Sequence, residues 1–188
     1  PLLILGYLKI LNKTLIKRGV IMSILVIFQG IMGWIMVKSG LVNQPHISHI
    51  RLMLHLSLAF LLFLYIWWTL LKIANPVCHP IKQSIKKYAQ FIIIITSIQI
   101  MYGAFVAGLN AGYIMNRFPK MGAQWLPNET IQLTPIWLNL INNPITVQLI
   151  HRILAIILLI GIVLLSYFIF QQRLSWFQRR AVIFLLFS

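Results

Sequence analysis

The chain has 188 residues, 60% of them hydrophobic and 9% charged, and its 16 Lys and Arg face a single acid, for a formal net charge of +15. A soluble domain carries roughly a quarter charged residues, so this composition points to helices crossing a membrane. With Glu129 as the one acid and Cys78 as the one cysteine, paired-carboxylate catalysis, carboxylate-rich Ca, Mg or di-iron sites and an intrachain disulfide are all excluded.

In chain order, residues 1–18 read as the end of a truncated helix, "PLLILGYLKI", followed by a cytoplasmic loop. The first residue is Pro1, and no signal-peptide pattern follows it. Residues 19–71 hold spans one and two, Gly19 to Val37 and Leu52 to Leu71. Residues 72–90 form a cytoplasmic linker, in which Cys78 sits between Pro76 and Pro80 as a plain loop residue. Residues 91–170 hold span three, Phe91 to Leu109, an outer loop over 110–146, and span four, Val147 to Phe170. Residues 171–188 read as a cytoplasmic loop and the start of another truncated helix, "RRAVIFLLFS". The apolar runs are continuous rather than alternating, so helices are expected and not barrel strands. The fold class is therefore all-α: a polytopic transmembrane bundle of four complete spans with partial helices at both ends, an internal piece of a longer membrane protein.

Orientation follows from the basic residues. Eleven lie before span one, between spans two and three, and after span four; five (Lys38, Arg51, Arg117, Lys120 and Arg152) lie on the other side. The positive-inside rule puts the first group in the cytoplasm and the 110–146 loop outside. Because these charges separate apolar runs and form no single patch, the expected partner is the anionic lipid surface, and nucleic acid is not one.

A short internal repeat is visible. Gln29 and Gly33 in span one precede "VKSGL", and Gln99 and Gly103 in span three precede "VAGLNAG". Each segment is followed by an outer loop and then by a span with a histidine one turn inside its outer end, His55 or His151. An ionisable residue in a span usually faces the bundle interior. Two roles are open for each imidazole: ligating a metal such as haem iron, or bonding a neighbouring helix. Arg51 and Arg152, beside these histidines, either pair with carboxylates such as haem propionates or snorkel to headgroups. His49 is a weaker candidate, and His46 and His79 read as loop residues. Gly30, Gly33, Gly103, Gly108 and Gly112 either let helices approach or leave room for a flat macrocycle. Trp34, Trp67, Trp68, Trp125 and Trp137 read as interfacial belts. HExxH, CxxC and P-loop patterns do not occur in the sequence.

The segments "QGIMGWIMVKSGLV" (29–42), "SHIRLMLHLSLAF" (48–60), "GAFVAGLNAGYIMNRFPKMGAQWLPN" (103–128) and "NNPITVQLIHRILA" (142–155) resemble the haem A synthase family, in its mitochondrial and alphaproteobacterial branch. The resemblance implies an eight-helix membrane enzyme of two related four-helix halves, in the bacterial or mitochondrial inner membrane. Such an enzyme oxidises the C8 methyl of haem O to the formyl of haem A for cytochrome oxidase assembly. It implies haem b as cofactor and haem O as substrate, each iron between two histidines. Spans one and two would then belong to the N-terminal half and spans three and four to the C-terminal half. By this resemblance His55 ligates the substrate-haem iron, and His151 the haem b iron. Arg51, Arg152, Asn110 and Arg117 are the cofactor-binding candidates, and no catalytic residue is assigned. The family's other two ligands and an upstream carboxylate fall outside these residues, so the piece alone is expected to be inactive. Candidate partners are haem O synthase, an electron donor and further copies of the chain. The family usually carries Asp where this chain has Asn110, which removes a charge there. Two other readings stay open: a di-haem electron carrier of the cytochrome b kind, and a transporter or structural bundle without haem.

Overall fold

The computed structural model describes residues 12–40 and 48–187, so the expectations for residues 1–11, His46 and Ser188 lie outside it. Among the described residues seven α-helices follow in order: α1 (Lys13–Gly40), α2 (His49–Ala74), α3 (Gln83–Gly108), α4 (Ala111–Ile114), α5 (Asn139–Asn142), α6 (Pro144–Phe170) and α7 (Trp176–Phe187). Single 3-10 turns stand at Asn128–Thr130 and Ile136–Leu138. Among the described residues the only β-type pairing is one isolated bridge, Met121 to Gln124.

Helices α1, α2, α3 and α6 are long and apolar enough to cross a membrane, which makes this a multi-pass, all-α membrane protein. They run 26 to 28 residues, or about 40 Å at 1.5 Å per residue. That exceeds the hydrocarbon thickness of about 30 Å. The apolar runs in the sequence are shorter because the helices continue into segments that carry Lys and Arg, such as Lys13, Lys17 and Arg18 in α1, whose stems can lie along apolar surface while the charge stays in water. Large apolar side chains point outward, among them Phe28, Leu61 and Leu159. That would be a liability in water and is the requirement in lipid. Hydroxyls inside the spans bond their own helix, with Ser23 donating to the Gly19 carbonyl at 3.0 Å and Thr96 to that of Ile92 at 2.8 Å. No water is needed there. The tryptophans singled out from the sequence are all exposed. Cations lie over several indole rings: Arg18 on Trp68 and Lys38 on Trp34, both at 4.5 Å, and Arg180 on Trp176 at 4.2 Å. Such pairs suit the membrane interface, where one end of the ring is dry and the other wet.

The chain forms two compact units, Pro1–Asn75 and Pro76–Ser188. In the first, α1 and α2 pack antiparallel, as the Arg18–Trp68 and Gln29–His55 contacts require. Helix α2 stops at Asn75, whose backbone is left-handed (φ 40°, ψ 55°) and whose N–H bonds the Leu71 carbonyl at 3.0 Å. Asn tolerates that conformation at a helix end, and Pro76 prevents the helix from resuming.

In the second unit α3 packs antiparallel on α6. Gly161 lets the helices meet: a Cβ there would stand 2.5 Å from Ile92 Cδ1, and its carbonyl accepts the Tyr88 hydroxyl at 3.3 Å. The buried apolar residues Ile92, Ala104, Phe105, Ala111, Met121, Val147 and Leu165 line this seam and the loop above it.

The loop is built rather than loose. Gly122, at φ +67°, makes the tight turn between Met121 and Gln124. Asn139 is buried and accepts the N–H groups of Gln132 and Leu133, both at 3.0 Å, while donating to the Leu133 and Ile136 carbonyls. Asn143 caps α6 by accepting from Ile145 N at 2.9 Å, ahead of Pro144 in the first turn, and donates to the Glu129 carbonyl.

Candidate functional site

The two histidines inside spans occupy matching positions in their units. Gln29 and Gly33 lie one turn apart on a single face of α1, because residues i and i+4 share a face. Opposite them, on the first turns of α2, stands His55. Its Nε2 lies 3.2 Å from the Gln29 amide nitrogen. A Cβ added at Gly33 would sit 3.3 Å from its Cε1, so the ring lies across the bare glycine backbone.

The second unit repeats this closely. His151 Nε2 is 3.4 Å from the Gln99 amide nitrogen, and a Cβ at Gly103 would meet His151 Cε1 at 3.4 Å. The same atoms are left over in both places. His55 Nδ1 and His151 Nδ1 are buried without a hydrogen-bond partner, and so are Gln29 Oε1 and Gln99 Oε1.

The sequence showed these glutamines and glycines as a repeat but not what they touch. Their contact with the histidines is the feature that reading the residues missed, and the Gln-x-x-x-Gly spacing was its signal. Gly30 and Gly112 have open space around them, so the histidine-facing role belongs to Gly33 and Gly103.

The arginines do not follow the repeat: Arg51 precedes His55 by a turn, whereas Arg152 follows His151 directly. Arg152 reaches the loop between α4 and α5. Its Nη2 donates to the Met115 carbonyl at 2.6 Å, and its Nη1 to those of Arg117 at 2.8 Å and Lys120 at 3.2 Å. Gln148, one turn earlier on α6, donates to the same Met115 carbonyl at 2.9 Å. The loop's path over this end of α6 is thus held by two side chains that flank His151.

Arg51 is half-buried on the first turn of α2, and Arg117 is exposed, contributing its carbonyl to Arg152. Asn110 is exposed and left-handed (φ 52°, ψ 27°), with no side-chain capping bond. Its position is where the chain breaks between α3 and α4, a conformation that Asn adopts more readily than most residues. Phe118 and Trp125, from the same loop, are exposed. His79 is an exposed loop residue whose backbone N–H and carbonyl are both bound by the Gln178 side chain. His49 opens α2 and is half-buried.

Grooves of about 270 Å³ (Leu15, Arg18, Met22, Ile66 and neighbours) and about 410 Å³ (Ser84, Ile85, Tyr88, Leu164, Phe168) lie at the helix ends away from the histidine of their unit. Among the described residues no three His, Cys, Asp or Glu side chains group as a metal site. Each cluster therefore offers one imidazole. Two aspects of it fit an iron ligand: the ring lies over a glycine with no side chain to displace it, and a buried ring nitrogen is left without a partner.

Comparison with known proteins agrees with the resemblance seen in the sequence. The profile of one family, described as cytochrome oxidase assembly protein, matches residues 1–188. A protein of Ehrlichia canis (strain Jake) named haem A synthase is 41% identical over 180 residues, covering 94% of this chain and 50% of its own length. The protein of that name from Wolbachia pipientis wMel is 45% identical over 161 residues, covering 84% and 46%. The one from Bartonella henselae is 34% identical over 164 residues, covering 86% and 46%. The chain thus spans about half the length of the curated relatives it matches. No solved structure matches significantly.

Proposed function

The chain belongs to the haem A synthase family of cytochrome oxidase assembly proteins, and from that premise we propose that it forms the middle of a membrane enzyme that oxidises the C8 methyl of haem O to the formyl of haem A. The membrane is the bacterial or mitochondrial inner one. His55 ligates the iron of the substrate haem, and His151 that of a resident haem b. The second imidazole for each iron comes from the rest of the whole protein, about half of which lies outside this chain in its relatives.

The observation that carries this reading is the duplicated cluster: one histidine per unit, on the outer turns of a span, over a glycine, beside a glutamine. Haem supplies the redox chemistry when bound. The chain's own residues supply binding and orientation, since its single acid leaves no carboxylate pair for proton transfer. His55 and His151 offer imidazole nitrogen ligands from apolar helices. Gly33 and Gly103 keep side chains away from the rings. Arg152 and Gln148 fix the loop beside His151, and Arg51, Arg117 and the remaining N–H groups of Arg152 would meet anionic haem substituents. Haem O synthase, an electron donor and further copies of the chain are the proposed partners.

A second reading is favoured by one contact. Each imidazole bonds a glutamine of the neighbouring helix, which is what a purely structural bundle would use. Pigment analysis separates the two. Membranes making the full-length protein together with haem O are expected to accumulate haem A, and His55→Ala is expected to abolish it. Haem O left unconverted by the wild type would refute the enzyme reading.

A further inference from the structure

Gln29 and Gln99 hold the centre of both clusters and have no role in the proposal above. A primary amide in the middle of a span is costly unless its donors and acceptor are used. Here each amide is only partly used: it touches a ring nitrogen while its Oε1 stays buried without a partner. A glutamine serving only to join helices could sit at any facing pair. Instead it stands four residues before the glycine that underlies the histidine, in both units.

The chemistry of imidazole gives this a meaning. A neutral ring has one N–H and one lone pair, and a ring that gives its lone pair to a metal needs an acceptor for its N–H. The carboxamide oxygen is such an acceptor. Half a turn about the last side-chain torsion exchanges Oε1 with Nε2 at the same contact distance.

We propose that Gln29 and Gln99 are positioning residues for His55 and His151: each carboxamide takes the ring N–H, fixes the tautomer that keeps a lone pair for iron, and holds the ring plane across the glycine. This rests on the reading of the two histidines as iron ligands. The pairing also explains why the bond and the glycine recur together, since the amide sets the rotation of the ring and the glycine gives the ring its room.

The test uses the full-length protein purified from membranes, in wild-type form and as Gln99→Leu, Gln99→Asn and Gln99→Glu. Bound haem and its reduction potential are measured, together with the imidazole nitrogen shifts of His151 by NMR on haem-free protein. Gln99→Leu, and Gln99→Asn with its shorter reach, are expected to weaken haem binding by about tenfold or more and to give mixed tautomers. Gln99→Glu still accepts the N–H, so it is expected to keep haem while moving the potential negative, because an anionic partner makes the ring a stronger donor to the metal.

Gln99→Leu with wild-type haem content and potential would overturn the proposal while leaving the histidine reading intact. A wild type without haem would overturn the histidine reading. In that case an unchanged His151 tautomer in Gln99→Leu would overturn the amide's role as well.

Discussion

At Gly103 the absence of a side chain is a contact in itself, because the His151 ring occupies the space where one would be. A Cβ would stand 3.4 Å from Cε1, close to ordinary contact, so Gly103→Ala is expected to keep most bound haem. Gly103→Leu must place its branch where the ring lies, and is expected to lose most haem from that unit. Haem per polypeptide measures both, with Gly112→Ala as a control: nothing lies within 4 Å of that position, and a surface change of this kind costs within about 0.5 kcal/mol. Equal haem in Gly103→Leu and wild type would show that the ring need not lie over that glycine. Much of this site was legible in the sequence. His55 and His151 stand out because an ionisable group in an apolar span is rare, and the glutamine-glycine spacing marked the repeat. The partner of each glutamine was not legible, because periodicity gives the face of a helix and not which helix it meets.

Among the elements, α6 is the one that organises its surroundings. Its first turn is capped by Asn143, its Gln148 and Arg152 hold the 115–120 segment, and its Gly161 sets the approach of α3. Arg152 illustrates the limit of reading side chains from sequence alone. An Arg beside a histidine suggested an anionic ligand, but three of its hydrogen bonds go to loop carbonyls, which no residue pattern announces. Hydrogen bonds from a charged donor are worth about 1.5 kcal/mol or more when buried, and less where water competes. Arg152→Gln is therefore expected to loosen the loop by about 2 kcal/mol in total. Limited proteolysis of haem-free full-length protein is the measurement, with faster cleavage between Met115 and Lys120 expected. Cleavage at the wild-type rate would mean that Gln148 and the buried Met121 suffice to hold the segment. The helix ends show a similar limit: apolar runs located the spans, but lysines and arginines extend the helices past them because the headgroup layer accepts both helix and charge.

For the whole molecule, charge asymmetry is the main physical constraint. With eleven basic residues assigned to one side and five to the other, the positive-inside rule predicts both histidines near the outer ends of their helices. Reporter fusions check this: a tag in the 75–82 loop is expected to stay in the cytoplasm, and one near Pro127 to be accessible from outside. The opposite result would place both clusters at the cytoplasmic face. Four membrane helices were legible because lipid demands long apolar runs. The closeness of α3 and α6 at Gly161 was not, since a single glycine carries no sign of its neighbour. Ligation of haem iron by His151 is read out by the absorbance spectrum of the purified full-length protein. A haem b Soret band is expected in the wild type and is expected to be mostly lost in His151→Ala; a band of equal strength in the two proteins, or none in the wild type, would rule out that ligation.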